Sequence, residues 1–279
     1  AGVSAAVLVD GEELWKGAAG LSSIYNPQSH VTPDTLFQIY SITKTFTAAL
    51  ILDLMAENRL SLSDEIQDWI SVQGNENIDS TASIKQLITH TTGFDDYVTN
   101  ESFLLTVYFQ QSKIWQPYEL LHYVETPLFE PGTDYAYSST NYIILGMIAE
   151  EVTDSTIARL FRTRYFDPLE LNNTYFPLAE NIPTNIANPH DNLSTLGLTN
   201  SGTVDLLEVL DTFDGIISSA WATGAIVSSA EDIAKWGHAL FAGEAIHAKA
   251  HDSLIAIISA PGFSSHYQDI APDAVGHNG

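Results

Sequence analysis

The chain has 279 residues, of which 45% are hydrophobic, and it contains no cysteine. This length can bury a sizeable core, and the lack of cysteine excludes disulfides, a thiol nucleophile and cysteine-ligated metal sites. Thirty-five acidic residues against ten basic ones give a formal net charge of −25, which repels a nucleic-acid backbone and an anionic membrane. We therefore expect no nucleic acid among the partners.

The first elements along the chain are predicted to be a β-hairpin and a buried helix. Apolar residues alternate with other residues between positions 3 and 9, and Asp10-Gly11 is a tight-turn signal. From residue 41 to about residue 58 the apolar positions fit a mostly buried helix. The longest apolar run near this helix, residues 48–52, stops at Asp53 and is far too short to span a membrane.

Helix signals broken by loops dominate the middle of the chain. A short helix is predicted at residues 83–88, and a longer one from Ser139 or Asn141 through Val152. Residues 187–219 show little periodicity, which predicts a loop with short elements.

The last part of the sequence predicts a return to strands. Residues 223–228 read as a turn or short strand, and residues 229–232 cap a helix that Gly243 closes. Strands at both ends with helices between indicate a sheet-containing lobe interrupted by a helical one. We therefore divide the chain into a first part of the sheet lobe with the helix after Ser41, a helical lobe, and a second part of the sheet lobe. These units span residues 1–63, 64–205 and 206–279.

Ser41 and Lys44 are the first candidates for chemistry. A serine is a poor nucleophile at neutral pH and needs a nearby base, and residues three apart on a helix lie on one face and can touch. The acidity of the chain raises lysine pKa values, whereas a lysine base needs a lowered one. If Lys44 is the base, local desolvation must lower its pKa by more than the acidity of the chain raises it. The alternative is that Ser41 only caps a helix.

Two further motifs follow Ser41 and Lys44 in the sequence. Tyr137-Ser138-Ser139 comes late in the helical region, and His277-Asn278-Gly279 comes near a predicted final strand. In this order, the three motifs resemble those of the penicillin-recognising serine hydrolases. That group holds class C β-lactamases, D-alanyl-D-alanine carboxypeptidases, D-aminopeptidases and related esterases, and the layout is most similar to the carboxypeptidase branch. Other segments that resemble the family are residues 37–44, 87–93, 131–133, 137–146 and 227–234.

The resemblance implies an α/β fold of the β-lactamase and DD-peptidase type, with an antiparallel sheet flanked by helices and an inserted all-helical lobe. It implies a hydrolase that forms an acyl-enzyme on Ser41, whose own N–H is one oxyanion donor, and it implies no metal or organic cofactor. Lys44 and Tyr137 would share the proton transfers, and which of them takes the serine proton stays open. His277 would bind a substrate carboxylate or polarise Tyr137. The substrate would be a small molecule or peptide, and the location extracytoplasmic, either periplasmic or secreted.

Two features depart from the family pattern. Ser139 stands where the family usually has asparagine. Asparagine offers both a donor and an acceptor at amide length, whereas serine offers one short hydroxyl. We therefore expect weaker recognition of an acylamino side chain, so that esters or small peptides compete well with β-lactams. The family places its second oxyanion N–H just after the residue that corresponds to Gly279, and further strands and a helix follow it. We therefore expect this sequence to be one piece of a larger protein. A second polypeptide that carries the missing C-terminal segment is one candidate partner.

Other interpretations concern single residues. Tyr137 could be an ordinary core tyrosine. The alternative to an enzyme is a catalytically silent homologue that binds peptidoglycan fragments or a protein partner. Among enzymes, the alternative is a carboxylesterase of the same family. His247 and His251 have helical metal-ligand spacing but no accompanying glutamate, so a solvated face is favoured. His90 is predicted to be structural, with a hydrogen-bonded ring. The pair Asp95-Asp96 is expected to be solvated.

Overall fold

The computed structural model describes residues 2–191, apart from 24 and 73, together with 204–205 and 213–258. Two of the predicted site residues, His277 and Gly279, lie outside this part of the chain. The division at residues 63/64 and 205/206 stays a prediction.

The chain opens with the expected hairpin. Strand β1 (Gly2–Val9) pairs antiparallel with β2 (Glu12–Gly20), with Val7 opposite Trp15. Asp10 and Gly11 join the strands with φ angles of 51° and 81°. This left-handed conformation matches the strand twist and favours an aspartate–glycine pair, so the turn signal is confirmed.

Two further pairs complete the β structure of the described residues. Strand β3 (Phe37–Gln38) pairs with β6 (Val227–Ser228), and β4 (His190–Asp191) pairs with β5 (Val204–Asp205). In the described part of the chain the strands thus form three two-stranded antiparallel sheets. The β3–β6 pair helps to position the candidate nucleophile, because the chain passes from β3 directly toward Ser41.

Helix α1 (Thr43–Ala56) is the centre of the fold, and a 3₁₀ turn, Tyr40–Ile42, leads into it. Every α1 residue apart from Thr45 is buried, as expected for a helix that is apolar on all sides. The ring of Phe46 stacks on Trp236 with centroids 3.9 Å apart. The predicted buried helix is confirmed, and its packing fixes the position of the residues at its start.

Eight more α-helices are present in the described residues, and Arg162–Phe166 adds one π-helical turn. The predicted helix after Tyr137 and the capped helix near the end are both present. In the latter, Ser229 accepts from the N–H of Asp232 and Gly243 closes the helix with φ 78°. These helices are α2 (Ile84–Ile88), α3 (Glu101–Phe109), α4 (Pro117–Leu120), α5 (Ser139–Thr153), α6 (Ile157–Phe161), α7 (Asp214–Gly224), α8 (Ala230–Ala242) and α9 (Ala248–Ile258).

Helix α7 begins inside the segment 187–219, which was predicted to be a loop with short elements, and it is longer than that prediction implied. Glycine and serine have weak intrinsic helix propensity, and tertiary packing overrides it here. Ser218 is buried and its hydroxyl donates to the carbonyl of Asp214 at 2.6 Å. Trp221 breaks the helical geometry with φ 32° and ψ −120°, so α7 is kinked just before its end.

No helix among the described residues is both long enough and apolar enough to cross a membrane.

Candidate active site

Ser41 lies in the tight turn between β3 and α1. The residue before it, Tyr40, has φ 43°, a left-handed backbone conformation that is strained for a tyrosine. The main-chain N–H of Ile39 is bonded to the carbonyl of Ile226 at 2.9 Å, which ties this turn to the strand region next to β6. The sheet and the start of α1 together hold the serine hydroxyl in place.

Ser41 receives hydrogen bonds from both predicted partners. The Lys44 amine donates to Ser41 Oγ at 3.1 Å, and the Tyr137 hydroxyl donates to the same oxygen at 2.8 Å. The structure therefore brings together three residues that the sequence separates by up to 96 positions. A nucleophile with its bases within hydrogen-bond reach is the arrangement that covalent catalysis requires.

Lys44 is the most unusual group in the site. Its side chain is 2% exposed, it donates a second hydrogen bond to the main-chain oxygen of Thr223 at 3.0 Å, and its nitrogen lies 5.0 Å from the ring centre of Tyr137. Burial lowers the pKa of Lys44 to about 8, against a smaller opposing effect of the Asp96 carboxylate. Local desolvation thus outweighs the acidity of the chain, which is the condition for a lysine base.

Tyr137 projects from the residues just before α5, and its side chain is 40% exposed. Its ring lies over His90, with ring centres 4.5 Å apart. His90 itself is buried, and its Nδ1 accepts the N–H of Ser138 at 3.2 Å. The expectation of a hydrogen-bonded histidine is confirmed. Sequence reasoning missed that this ring also packs against the candidate catalytic tyrosine, although the histidine had been singled out.

Ser139 begins α5 and is buried beside Asp96. Its hydroxyl lies 3.4 Å from Asp96 Oδ2, and the N–H of Val98 lies 3.3 Å from Asp96 Oδ1. Burial raises the pKa of Asp96, against smaller contributions from the N–H groups of Ser139 and Val98 and from Lys44. The expectation that Asp96 is a solvated carboxylate was therefore wrong. A run of two aspartates after a glycine gives no local signal of burial, so only the fold reveals this contact.

A metal site is not supported by the described residues, which hold no group of three histidine, aspartate or glutamate side chains able to bind a cation. The side chains of His247 and His251 make separate contacts. His247 is exposed, with Nδ1 accepting the N–H of Lys249 at 3.1 Å, whereas Nε2 of His251 lies 3.0 Å from the carbonyl oxygen of Phe241.

The roles predicted for His277 and Gly279 fall outside the described residues and stay predictions. The described part of the site consists of Ser41, Lys44 and Tyr137, with Asp96 and Ser139 beside them.

A protein-family comparison decides the relationship. The family model described as Beta-lactamase matches residues 1–274 of this chain. The chain belongs to the Beta-lactamase family. The expected fold class is confirmed, with helices around small antiparallel sheets.

Solved structures of the Beta-lactamase fold agree with this assignment. A D-stereospecific amidohydrolase from Streptomyces sp. has a TM-score of 0.75 at 28% identity, covering 90% of this chain and 71% of that chain. The D-amino acid amidase from Ochrobactrum anthropi SV3, complexed with D-phenylalanine, has a TM-score of 0.74 at 26% identity, covering 90% of this chain and 68% of that chain.

Two curated relatives of this Beta-lactamase family chain are more than twice as long as the segments that match it. The unguisins hydrolase ungD' from Aspergillus campestris is 27% identical over 260 residues, which cover 86% of this chain and 43% of that protein. Protein flp from Staphylococcus aureus is 27% identical over 184 residues, which cover 64% of this chain and 36% of that protein. The family relatives named here thus include hydrolases, and this chain spans less than half of the two curated proteins.

Proposed function

We propose that the protein is a serine hydrolase that forms an acyl-enzyme on Ser41. The observation that carries this proposal is the pair of hydrogen bonds that Lys44 and Tyr137 donate to Ser41 Oγ, at 3.1 Å and 2.8 Å. A structural serine at the start of a helix would need neither a buried amine nor a phenol on its side-chain oxygen.

The chemistry begins with Lys44 in its neutral form. Ser41 Oγ bonds to the acyl carbon of the substrate while the serine proton passes to the Lys44 amine. The bond from that carbon to the leaving amine or alcohol then breaks as Tyr137 donates its hydroxyl proton to the leaving group. The Lys44 ammonium returns a proton to Tyr137, which leaves Lys44 neutral again. Water attacks the resulting ester by the reverse proton path, which releases the acid and restores the Ser41 hydroxyl.

The substrate class follows from the similar proteins together with Ser139. Two solved relatives are named for D-amino-acid amide or D-stereospecific amide hydrolysis, which supports amides or esters of amino acids and short peptides as substrates. The replacement of asparagine by Ser139 removes an amide that would bind an acylamino group, which makes β-lactams and acylated D-alanyl-D-alanine peptides weaker candidates. A carboxylesterase is the neighbouring alternative.

Labelling with a fluorescent fluorophosphonate tests the mechanism. We expect one label per chain, located on Ser41 by peptide mass spectrometry, and no label on the Ser41→Ala variant. An intact fold that stays unlabelled by both the fluorophosphonate and a fluorescent penicillin would overturn the proposal.

A substrate panel tests the class. We expect turnover of a p-nitrophenyl ester and of an amino-acid amide to exceed that of a cephalosporin and an acylated D-alanyl-D-alanine peptide. The non-enzymatic alternative, a binding protein on the same scaffold, predicts no turnover and an affinity for peptidoglycan fragments that survives Lys44→Met. A hydrolase instead loses turnover in that variant.

A further inference from the structure

We propose that Asp96 binds a free ammonium group of the substrate, so that the preferred acyl group carries a primary amine next to the carbon that Ser41 attacks. This inference rests on the proposed function and adds the chemical class of the acyl group. It gives Asp96 the role that an amide side chain at position 139 would have with an acylated substrate.

The location of Asp96 supports this role. Its Oδ2 lies 3.4 Å from the hydroxyl of Ser139, two residues after Tyr137, and its charge acts on Lys44. Lys44 and Tyr137 both donate a hydrogen bond to the serine oxygen that would attack. In an amino-acid amide or ester, the ammonium nitrogen is two bonds from the acyl carbon, so it must lie close to whichever groups surround that carbon. Asp96 is half-buried, which leaves part of it open to a ligand.

Asp96 is also held less tightly than the other inward-facing carboxylates. Asp53 accepts from the N–H of His247 at 2.8 Å and from the Tyr165 hydroxyl at 2.9 Å. Asp232 accepts from the N–H of Asn173 at 2.8 Å and from the Thr174 hydroxyl at 2.9 Å.

The side-chain and N–H contacts with measured lengths at Asp96 are 3.3 Å and 3.4 Å, and the Ser139 N–H adds a further bond. No lysine, arginine or histidine nitrogen among the described residues forms an ion pair with it within 4.0 Å. A carboxylate can accept about four hydrogen bonds, so Asp96 keeps capacity for a cationic donor.

The charge state of the working site strengthens the inference. Lys44 is the cation that Asp96 acts on, but Lys44 must be neutral to accept the serine proton, so the carboxylate then lacks a compensating positive charge. A substrate ammonium restores that charge. Because a nearby cation disfavours a second one, the bound ammonium also favours the neutral form of Lys44. The net charge of −25 further attracts cationic substrates.

The test compares the p-nitroanilides of D- and L-phenylalanine with that of 3-phenylpropanoic acid, which has hydrogen in place of the ammonium group. We expect wild-type kcat/KM to favour the better phenylalanine enantiomer near pH 7, and Asp96→Asn to reduce this preference at least ~30-fold. The amine activates the carbonyl equally in both proteins, so the change in the ratio reports binding of the ammonium group. Asp95→Asn is the matched control, because it removes the neighbouring carboxylate and is expected to keep the ratio.

A second readout shows whether Asp96 acts through its charge or only supports the fold. With the uncharged 3-phenylpropanoyl substrate, Asp96→Asn is expected to shift the acid limb of kcat/KM to lower pH, because the carboxylate that favours the Lys44 ammonium is gone. The other ionisable groups that face Lys44 within the described residues, Tyr137 and Tyr142, are unchanged in this variant.

Two outcomes are decisive against the inference. A wild-type enzyme that prefers the substrate without the amine overturns it, and so does an Asp96→Asn ratio within about threefold of wild type. The first of these needs no variant, so the test survives if Asp96→Asn fails to fold. If the wild type is also not labelled by fluorophosphonate, the proposed function falls as well; labelling together with an unchanged ratio overturns the ammonium site alone.

Discussion

The amine of Lys44 lies 3.0 Å from the main-chain oxygen of Thr223, so the start of α1 meets the end of α7 at the proposed base. A carbonyl oxygen accepts a hydrogen bond from either the ammonium or the neutral amine. It therefore fixes the position of the nitrogen without requiring its proton. The neighbouring carbonyls of Ser219 and Ala222 accept from Tyr97 and Thr47 at 2.6 Å and 2.7 Å, so side chains satisfy several carbonyls near the end of the helix.

Activity is expected to rise with pH through about 8, where buried Lys44 loses its proton. The measurement is kcat/KM for an uncharged p-nitrophenyl ester between about pH 6 and pH 10, where the substrate itself does not titrate. Lys44→Arg and Lys44→Met are both expected to lose at least ~100-fold in kcat, because an arginine cannot be deprotonated and a methionine cannot accept a proton. An arginine variant that retains activity would show that positive charge, rather than a base, is needed at this position.

The stability of the protein is expected to depend on pH through the same residue. The pKa of Lys44 is lowered on folding from 10.5 to about 8, so between these pH values the unfolded chain holds a proton that the folded protein has released. The free energy of unfolding therefore rises with pH across that window, by at most about 3 kcal/mol.

Urea unfolding of wild type and Lys44→Met, compared at several pH values from about 7 to 10, measures this effect. Buried tyrosines are common to both proteins, so their titration cancels in the difference. The wild type should gain stability relative to the variant as pH rises, and two parallel pH profiles would contradict a lowered Lys44 pKa.

Local sequence patterns predicted the parts of the site that lie close together along the chain. The spacing of Ser41 and Lys44 on one turn, the apolar periodicity of α1 and the caps of α8 are all read from neighbouring residues. The contact from Lys44 to the carbonyl of Thr223 spans 179 positions, and a main-chain acceptor has no residue-type signature. The kink at Trp221 and the contact between Asp96 and Ser139 are likewise products of tertiary packing, which no periodicity encodes.

Gly146 is expected to control how closely α5 and α7 approach. A Cβ atom there would lie 2.6 Å from the Cβ of Ala222 and 2.7 Å from the ring of Trp221, at the kink next to Thr223. Gly146→Ala is therefore expected to lower the free energy of unfolding by about 1–3 kcal/mol and to reduce kcat, since α7 must move away from Lys44.

Gly237→Ala is the matched control for that substitution. It also lies within a helix, α8, but a Cβ atom there would meet nothing within 4 Å. Alanine should raise stability by about 0.5–1 kcal/mol at such a site and leave activity unchanged. Equal effects of the two substitutions, measured by urea unfolding and ester hydrolysis, would rule out close packing as the reason for Gly146.

Tyr137→Phe is expected to separate chemistry from folding. The variant loses the hydroxyl that donates to Ser41 Oγ at 2.8 Å but keeps the ring over His90. We expect kcat to fall ~100-fold or more, because proton transfer through a positioned side chain contributes at least that much. Stability should change by less than about 1 kcal/mol, since the side chain is 40% exposed.

Tyr135→Phe is the control, because Tyr135 is equally exposed at 40% and its ring also faces His90, at 6.2 Å. If both variants lose the same activity, the phenol of Tyr137 has no special part in the reaction, and Lys44 alone would serve Ser41.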